Sequence, residues 1–168
     1  RAMRDLGSPP HSRRFVSNLV EAFGESVRLF SVRSSGRPLA ASLALVDAQG
    51  FHVPWSGSDT RFRQSGANRA LYWDMLKYAA DANLPTFDFG RSTVDSGTYE
   101  FKKEWGAEPV QLYWHFVMPD GKPLPDQRPD SPKFRMMVAC WKKLPLGLAR
   151  IIGPAIGGFG GTFEDIND

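Results

Sequence analysis

Phe51-His52-Val53-Pro54-Trp55, a polar loop over 56–67 with glycines at Gly57 and Gly66, and then Asn68-Arg69-Ala70-Leu71-Tyr72-Trp73 form the stretch that decides the fold. Phe51, Val53 and Trp55 recur at every second residue, the period of a strand with one covered face. Leu71, Tyr72, Met75, Leu76 and Ala79 recur at helical spacing, which predicts the inner face of a helix capped by Asn68. A strand that runs through a glycine-containing loop into a helix leaves unpaired backbone N–H groups at the helix start, beside the sheet. Such a terminus attracts anions.

Upstream, residues 27–33 read as a strand, and turn chemistry follows at Ser35-Gly36-Arg37-Pro38. Leu39, Ala41, Leu43 and Leu45 then alternate as the covered face of a second strand, and Asp47-Ala48-Gln49-Gly50 turns into the third. The three strands predict an antiparallel meander. Before it, Ser8 reads as a helix cap with Pro9 at the first helical position. Phe15, Val16, Leu19, Val20 and Phe23 form the apolar stripe of that helix, and Gly24 stops it.

Downstream, residues 86–89 read as a short strand ending at Gly90. A loop over 91–97 leads to a short helix over 98–105, ended by Gly106. Residues 110–117 are expected to form a strong last strand, with His115 as a sheet histidine. Trp55, Trp73 and Trp114 are expected in the core, while His11 and His52 carry no partner signal. Proline and aspartate dominate 119–132, a linker. Helices are expected over 133–144 and 145–156. The glycine-rich, acidic end reads as a flexible tail. The expected organisation is thus an α/β domain over 1–118, a linker over 119–132, and an amphipathic helical extension with its tail over 133–168. A mixed, mostly antiparallel sheet flanked by helices is expected, and no internal repeat is present.

Composition narrows the class. With 168 residues, 42% hydrophobic and 23% charged, the chain can bury one core and is not a disordered polymer. No apolar run reaches the roughly 18 residues that a spanning helix needs. Cys140 is the single cysteine, which excludes an intrachain disulfide and fits a reducing, cytoplasmic setting. One cysteine and three scattered histidines do not make a zinc site, so no metal is expected. A net charge of +3 permits anionic partners without requiring them. The basic residues are not interleaved with exposed aromatics, so neither DNA nor RNA is an expected partner. The start at Arg1-Ala2-Met3-Arg4 lacks an initiator methionine and an apolar leader, and is expected to be internal to a longer protein.

Three stretches together carry a resemblance: Asn68-Arg69-Ala70-Leu71-Tyr72-Trp73, Phe87-Asp88-Phe89-Gly90-Arg91-Ser92-Thr93, and Gly97-Thr98-Tyr99-Glu100-Phe101-Lys102-Lys103-Glu104-Trp105-Gly106. They resemble the FemAB-like branch of the GNAT acyltransferase superfamily. Within it they are most similar to FemAB-related proteins of bacterial exosortase (PEP-CTERM) and exopolysaccharide systems. The resemblance runs from about residue 5 to 116. It implies a GNAT-like fold and the second of two tandem GNAT-like domains, so that a missing N-terminal domain of the same protein becomes the expected partner. It further implies transfer of an acyl or aminoacyl group to an amine of a cell-wall peptidoglycan or envelope polysaccharide precursor. The donor is acyl-CoA or aminoacyl-tRNA. A non-catalytic GNAT-like binding or scaffold module is the alternative.

The resemblance selects residues, each with a plainer reading beside it. Arg63, Gln64, Gly66 and Asn68 match the phosphate-cradling pattern R/Q-x-x-G-x-G/A of GNAT enzymes, except that Asn68 replaces the final small residue. Otherwise they form an exposed loop. Lys102 matches a lysine that faces the donor site, where it pairs with phosphates or holds an oxyanion; otherwise it is solvated. Asp88 positions or deprotonates the amine, or forms an ion pair with Arg91. Tyr99 is a proton donor or a rim aromatic. Arg91, Ser92 and Trp105 complete a substrate-binding set. In the extension, Phe134, Met137, Val138 and Trp141 make one apolar stripe, and Leu148, Ile151, Ile152 and Ile156 a second. With Lys133, Arg135, Lys142, Lys143 and Arg150 off the stripes, residues 133–156 either contact an anionic membrane peripherally, at the inner membrane, or fold back on the domain.

Overall fold

The computed structural model describes residues 9–113, 115, 117 and 132–157. A single four-stranded sheet runs in the order β1 (Val27–Ser34), β2 (Arg37–Asp47), β3 (Gly50–Ser58) and β4 (Phe87–Asp88). The first three strands form the antiparallel meander, and β4 joins β3 in parallel. Helices α1 (Arg13–Phe23), α2 (Ala67–Asp81) and α3 (Gly97–Glu104) surround it, and α4 (Pro132–Lys143) and α5 (Leu146–Gly157) follow. The expected α/β architecture, a mixed and mostly antiparallel sheet flanked by helices, is the observed one.

The deep core lies between one face of the sheet and α2. Phe51, Leu71 and Met75 are fully buried there, with Ala40, Ala44, Val53, Tyr72 and Ala79 around them. On β2 the covered face is therefore Ala40, Ser42 and Ala44, not the Leu39, Ala41, Leu43, Leu45 set that alternation favours. Leu39 reaches the core only because a register shift between Val32 and Arg33 displaces it. The correction has a steric reason. Small side chains let a helix approach closely, so alanines mark the tight face. The larger Leu43 and Leu45 stay half-buried on the opposite one. The buried Ser42 hydroxyl is satisfied by donating to the Trp55 carbonyl at 2.9 Å.

Helix α1 covers that opposite face incompletely. Its cap is Ser12, whose hydroxyl accepts from the Phe15 amide at 2.9 Å. The cap expected at Ser8 lies outside the described residues; Pro9-Pro10 delays the helix, because the residue before a proline is driven extended. Phe15 and His11 pack on Trp55, with ring centroids at 5.4 and 5.7 Å. Burial holds His11 below the ordinary imidazole range. Of the α1 stripe only Leu19 is buried, whereas Val20 and Phe23 are 47% and 53% exposed.

Three further expectations are corrected. Residues 110–113, 115 and 117 belong to no strand, and His115 is exposed; Trp114 and Phe116 lie outside the described residues. β4 is only two residues long, too short an edge to hold a strong fifth strand. Trp73 is 62% exposed on the outer side of α2, one position past the buried stripe. In the extension both helices form as expected, but Val138 and Trp141 are buried at 7% and 8% exposure, so these two anchors are not free to enter lipid. Gly153 of α5 packs on the Pro10 ring, where a Cβ would collide, so the extension folds back on the start of the domain. Leu148 and Ile151 remain exposed. The side chains of Phe134, Lys133, Arg135, Arg150 and Ile156, the linker over 119–131 and the tail over 158–168 lie outside the described residues. No described helix is long and apolar enough to cross a membrane.

The helix–sheet core sets the stability. Met75→Ala is expected to lower the unfolding free energy by about 2–5 kcal/mol in a urea melt, through lost burial and a residual cavity. Val20→Ala, at a half-exposed site, is expected to cost less than about 1 kcal/mol.

Candidate active site

The sheet opens at one place. β3 pairs with β4 only through Phe51↔Phe87 and His52↔Asp88, and then continues to Ser58 with no described partner on that edge. Two features produce the opening. Between Leu43↔Trp55 and Leu45↔His52, Val53 and Pro54 both stand opposite Ala44, so β3 carries a bulge where pairing with β4 stops. Pro54 also has no N–H to offer a neighbour. On the other side Gly90 turns the chain away at φ +74°, so close to β3 that a Cβ would lie 2.8 Å from the Val53 carbonyl oxygen. Only glycine combines that dihedral with that approach.

The open edge leads to the start of α2. Asp59 caps a 3-10 turn, Thr60–Ser65, by accepting from the Arg61 amide, and the Arg61 side chain closes on the same carboxylate. This pairing holds the Asp59 carboxyl well below the usual carboxylate range. Gly66 follows at φ +73°, in the left-handed region, and α2 begins at Ala67. Asn68 is therefore inside the first turn and is not the expected cap. That place goes to the Ser65–Gly66 junction, where the Ser65 hydroxyl accepts from the Ala67 amide at 3.3 Å. α2 has no side-chain cap of the ordinary kind, which leaves first-turn amides for another acceptor. Arg63 and Gln64 are exposed on the turn just ahead of it.

α3 closes the other wall. Ser96 caps it by accepting from the Tyr99 amide at 3.1 Å. Tyr72 stacks on Phe89 (5.8 Å) and meets Phe101 edge-on (5.0 Å), and Phe101 meets Trp105 at 6.2 Å. Arg69 of α2 ties the two helices by pairing with Glu104 at 2.6 Å. The Trp105 indole N–H is buried with no hydrogen-bond partner among the described residues. Burial pushes the Tyr72 hydroxyl above the ordinary phenol range, against a hydrogen bond with Ser56 on β3. Tyr72 is thus a neutral hydroxyl at the open strand.

The selected residues fall in two groups. Arg63, Gln64, Gly66 and Asn68 gather at the α2 start. Asp88, Arg91, Ser92 and Lys102 lie at the exit from β4, with the Ser92 hydroxyl 3.2 Å from that of Thr98, and Trp105 packs on Phe101 of α3. Lys102 is half-buried. Its ammonium donates to the Gly90 and Arg91 carbonyls at 3.0 and 2.6 Å, fastening the turn that opens the sheet. Tyr99 is half-buried on α3, with the Lys103 ammonium 5.4 Å from its ring centre. Asp88 Oδ2 lies 3.6 Å from His52 Nδ1, and the Asp88 carboxylate accepts from the Gly90 amide at 2.8 Å. His52 is the residue that sequence reasoning missed, since its pairing with Asp88 exists only across two strands far apart in sequence. Tyr72 was legible as a core residue but not as a polar one.

Comparison with known proteins follows this geometry. A family profile described as acetyltransferase (GNAT) domain matches residues 1–103. Aminoacyltransferase FemA of Staphylococcus aureus is 27% identical over 109 residues, 60% of this chain and 26% of that protein. FemA of Staphylococcus epidermidis is 23% identical over 113 residues, 62% of this chain and 27% of that protein. The chain thus spans about a quarter of the length of these curated relatives. Among solved structures, the AAC(6')-Iy complex with the bisubstrate analog CoA-S-monomethyl-acetylneamine superposes with a TM-score of 0.55, at 12% identity, over 69% of this chain and 90% of that one. That likeness is one of fold.

The Lys102 tether is testable without a substrate. Lys102→Ala is expected to cost about 1–2 kcal/mol, less than a fully buried charged hydrogen-bond set because the ammonium is partly solvated. It is also expected to raise amide hydrogen exchange over 90–96. Unchanged exchange there would remove the tether.

Proposed function

The chain belongs to the acetyltransferase (GNAT) domain family, and from that premise we propose that it is an N-acyltransferase of the FemAB-like kind, moving an acyl or aminoacyl group from an activated carrier to an amine. One observation carries the reading: a β3 edge with no strand partner among the described residues beyond His52 joins a helix start whose Gly66 cap offers no side chain to the junction with β4. The α2 amides, with Arg63, Gln64, Gly66 and Asn68, suit the phosphates of a carrier. The edge of β3 suits an extended arm that needs backbone partners, and the junction suits its reactive end. The carrier supplies an activated carbonyl, as thioester or aminoacyl ester. The protein's part is to align it with an amine and to hold the developing oxyanion with fixed N–H groups. The buried, unpaired Trp105 N–H and the neutral Tyr72 hydroxyl are donors of that kind. Lys102 contributes by holding the Gly90–Arg91 turn.

Both acyl-CoA and aminoacyl-tRNA present phosphates beside an activated carbonyl. The FemA relatives favour the second and the CoA-analog complex of the structural neighbour the first. The resemblance supports an amine of a peptidoglycan or envelope polysaccharide precursor as acceptor, in an exopolysaccharide or exosortase setting on the cytoplasmic side. The greater length of the FemA relatives supports a second GNAT-like domain of the same protein as the cover for the exposed α1 stripe. The exposed Leu148 and Ile151 of α5 and Met137 of α4 support contact with an anionic membrane.

Calorimetric titration with acetyl-CoA and with a charged tRNA tests the reading. Binding of one of them is expected, and Arg63→Ala is expected to weaken it about tenfold by removing a charge-assisted contact. Unchanged affinity would take Arg63 out of the site. Absence of binding by the parent chain to either carrier would sink the acyltransferase reading in favour of a non-catalytic module.

A further inference from the structure

The most unusual polar arrangement among the described residues stands where the sheet opens. His52 is the last β3 residue paired with β4, and its partner across the strands is Asp88. Its ring sits between two carboxylates: Nε2 is 3.4 Å from Asp47 Oδ1, and Nδ1 is 3.6 Å from Asp88 Oδ2. All three side chains reach solvent, with exposures of 32% for His52, 56% for Asp47 and 60% for Asp88. The two carboxylates address different ring nitrogens, so they do not converge on one point. The ring belongs to the sheet face opposite α2, because Phe51 and Val53 on either side of it point into the core.

We propose that His52 is the general base of the acyl transfer, oriented by Asp47, with Asp88 holding the incoming amine. This inference rests on the acyltransferase reading and adds a residue to it. Asp47 is fixed independently of His52, since its Oδ1 also accepts from the Gln49 and Gly50 amides at 2.8 and 3.1 Å. Those amides, Gln49 first, hold its carboxyl below the usual range, so it stays anionic. Both carboxylates only accept; Asp47 is the nearer, at 3.4 Å, so it draws the proton of the neutral ring to Nε2 and leaves the lone pair on Nδ1 once an ammonium engages Asp88. Nδ1 faces the strand junction and Asp88. The 3.6 Å separation is long for a direct hydrogen bond. Asp88 is itself held by the Gly90 amide, at the turn that opens the sheet. An ammonium docked on Asp88 therefore lies beside the free lone pair of His52, at the end of the open β3 edge.

The step balances. The protonated amine on Asp88 gives one proton to Nδ1. Its freed lone pair forms the carbon–nitrogen bond to the donor carbonyl carbon. The carbon–sulfur or carbon–oxygen bond to the carrier breaks, and its electrons leave with the carrier. The second amine proton lost reaches the carrier or solvent, and His52 returns its own to water. Base, orienting carboxylate and amine-holding carboxylate thus come from three strands, and none depends on a mobile loop.

The test uses the full chain, acetyl-CoA and a panel of primary amines, followed by thiol release. His52→Gln is expected to lower kcat about 100-fold or more, the usual scale for removing a general base, and to abolish the acidic limb of the pH–rate profile. The groups facing the ring in that profile are Asp47 from the β2 end and Asp88 from β4. Acetyl-CoA affinity and the melting temperature are expected to stay at parent values. Imidazole added to His52→Ala is expected to restore turnover, which a merely structural role would not allow. Asp88→Asn is expected to raise KM for the amine more than it lowers kcat. If the parent turns over and His52→Gln stays within about threefold with its pH limb intact, His52 is not the base, though the acyltransferase reading survives. If His52→Gln unfolds, the imidazole response of a folded His52→Asn variant decides, and no response sinks the inference. A parent that binds acetyl-CoA and acylates no amine overturns the inference and the reading together.

Discussion

Everything of functional interest depends on a parallel pairing only two residues long. Phe51↔Phe87 and His52↔Asp88 are the two ladder pairs that join β4 to β3 among the described residues. The pairing is anchored from the core side, where Phe87 stacks on Phe51 at 4.9 Å, and from the turn, where Thr86 accepts from the Phe51 amide and donates to the Gln49 carbonyl. It is broken by design features rather than by weakness. The Val53–Pro54 bulge shifts the backbone of β3, and Gly90 swings the other chain away while staying against the Val53 carbonyl. A longer β4 would close the edge. A shorter one would lose the ladder pairing of β4 with β3.

A gap in a sheet is costly unless something keeps its walls apart, because exposed strand edges seek partners. Here the second wall is packed and tethered. Lys102 fastens the Gly90–Arg91 turn to α3, and the Tyr72–Phe89–Phe101–Trp105 aromatic run packs α3 onto α2. Arg69–Glu104 is a surface ion pair worth at most about 1 kcal/mol, so the aromatic packing and not that pair positions the helix. The edge is thus held open by burial on one side and by a charged tether to backbone on the other.

Much of this was readable in the sequence. The meander, the glycine-containing loop into α2, the short strand before Gly90 and the short helix before Gly106 all follow from period and punctuation. The errors share a cause: each needed knowledge of a distant neighbour. Alternation on β2 offers two faces, and the alanine face wins only because α2 presses on it. Asn68 is a good cap by residue type, but Gly66 takes the left-handed turn first and moves the helix start. Residues 110–117 have strand composition, yet the described residues 110–113, 115 and 117 join no strand beside the two-residue β4. Trp73 lies next to a buried tyrosine on a helix, where one step of 100° separates core from solvent. His52 is invisible for the same reason. Its contact with Asp47 crosses a hairpin turn and could be inferred from register, but Asp88 is brought in by a separate strand.

The two faces of the sheet then divide the proposed labour. The alanine face lets α2 lie close, which brings the α2 start to the far end of the same edge that begins at the β4 junction. An anionic carrier bound there approaches from the helix end and runs along the strand edge, within the plane of the sheet. The opposite face is filled only in part, since α1 buries Leu19 and leaves Val20 and Phe23 outside, and it carries His52 and Asp88 where they meet solvent. An amine can therefore reach the junction from the side that the carrier does not occupy. Direct transfer between two bound reactants requires that they meet without sharing an entrance. A sheet with one tight face, one loose face and a short gap between strands satisfies that requirement with no moving part.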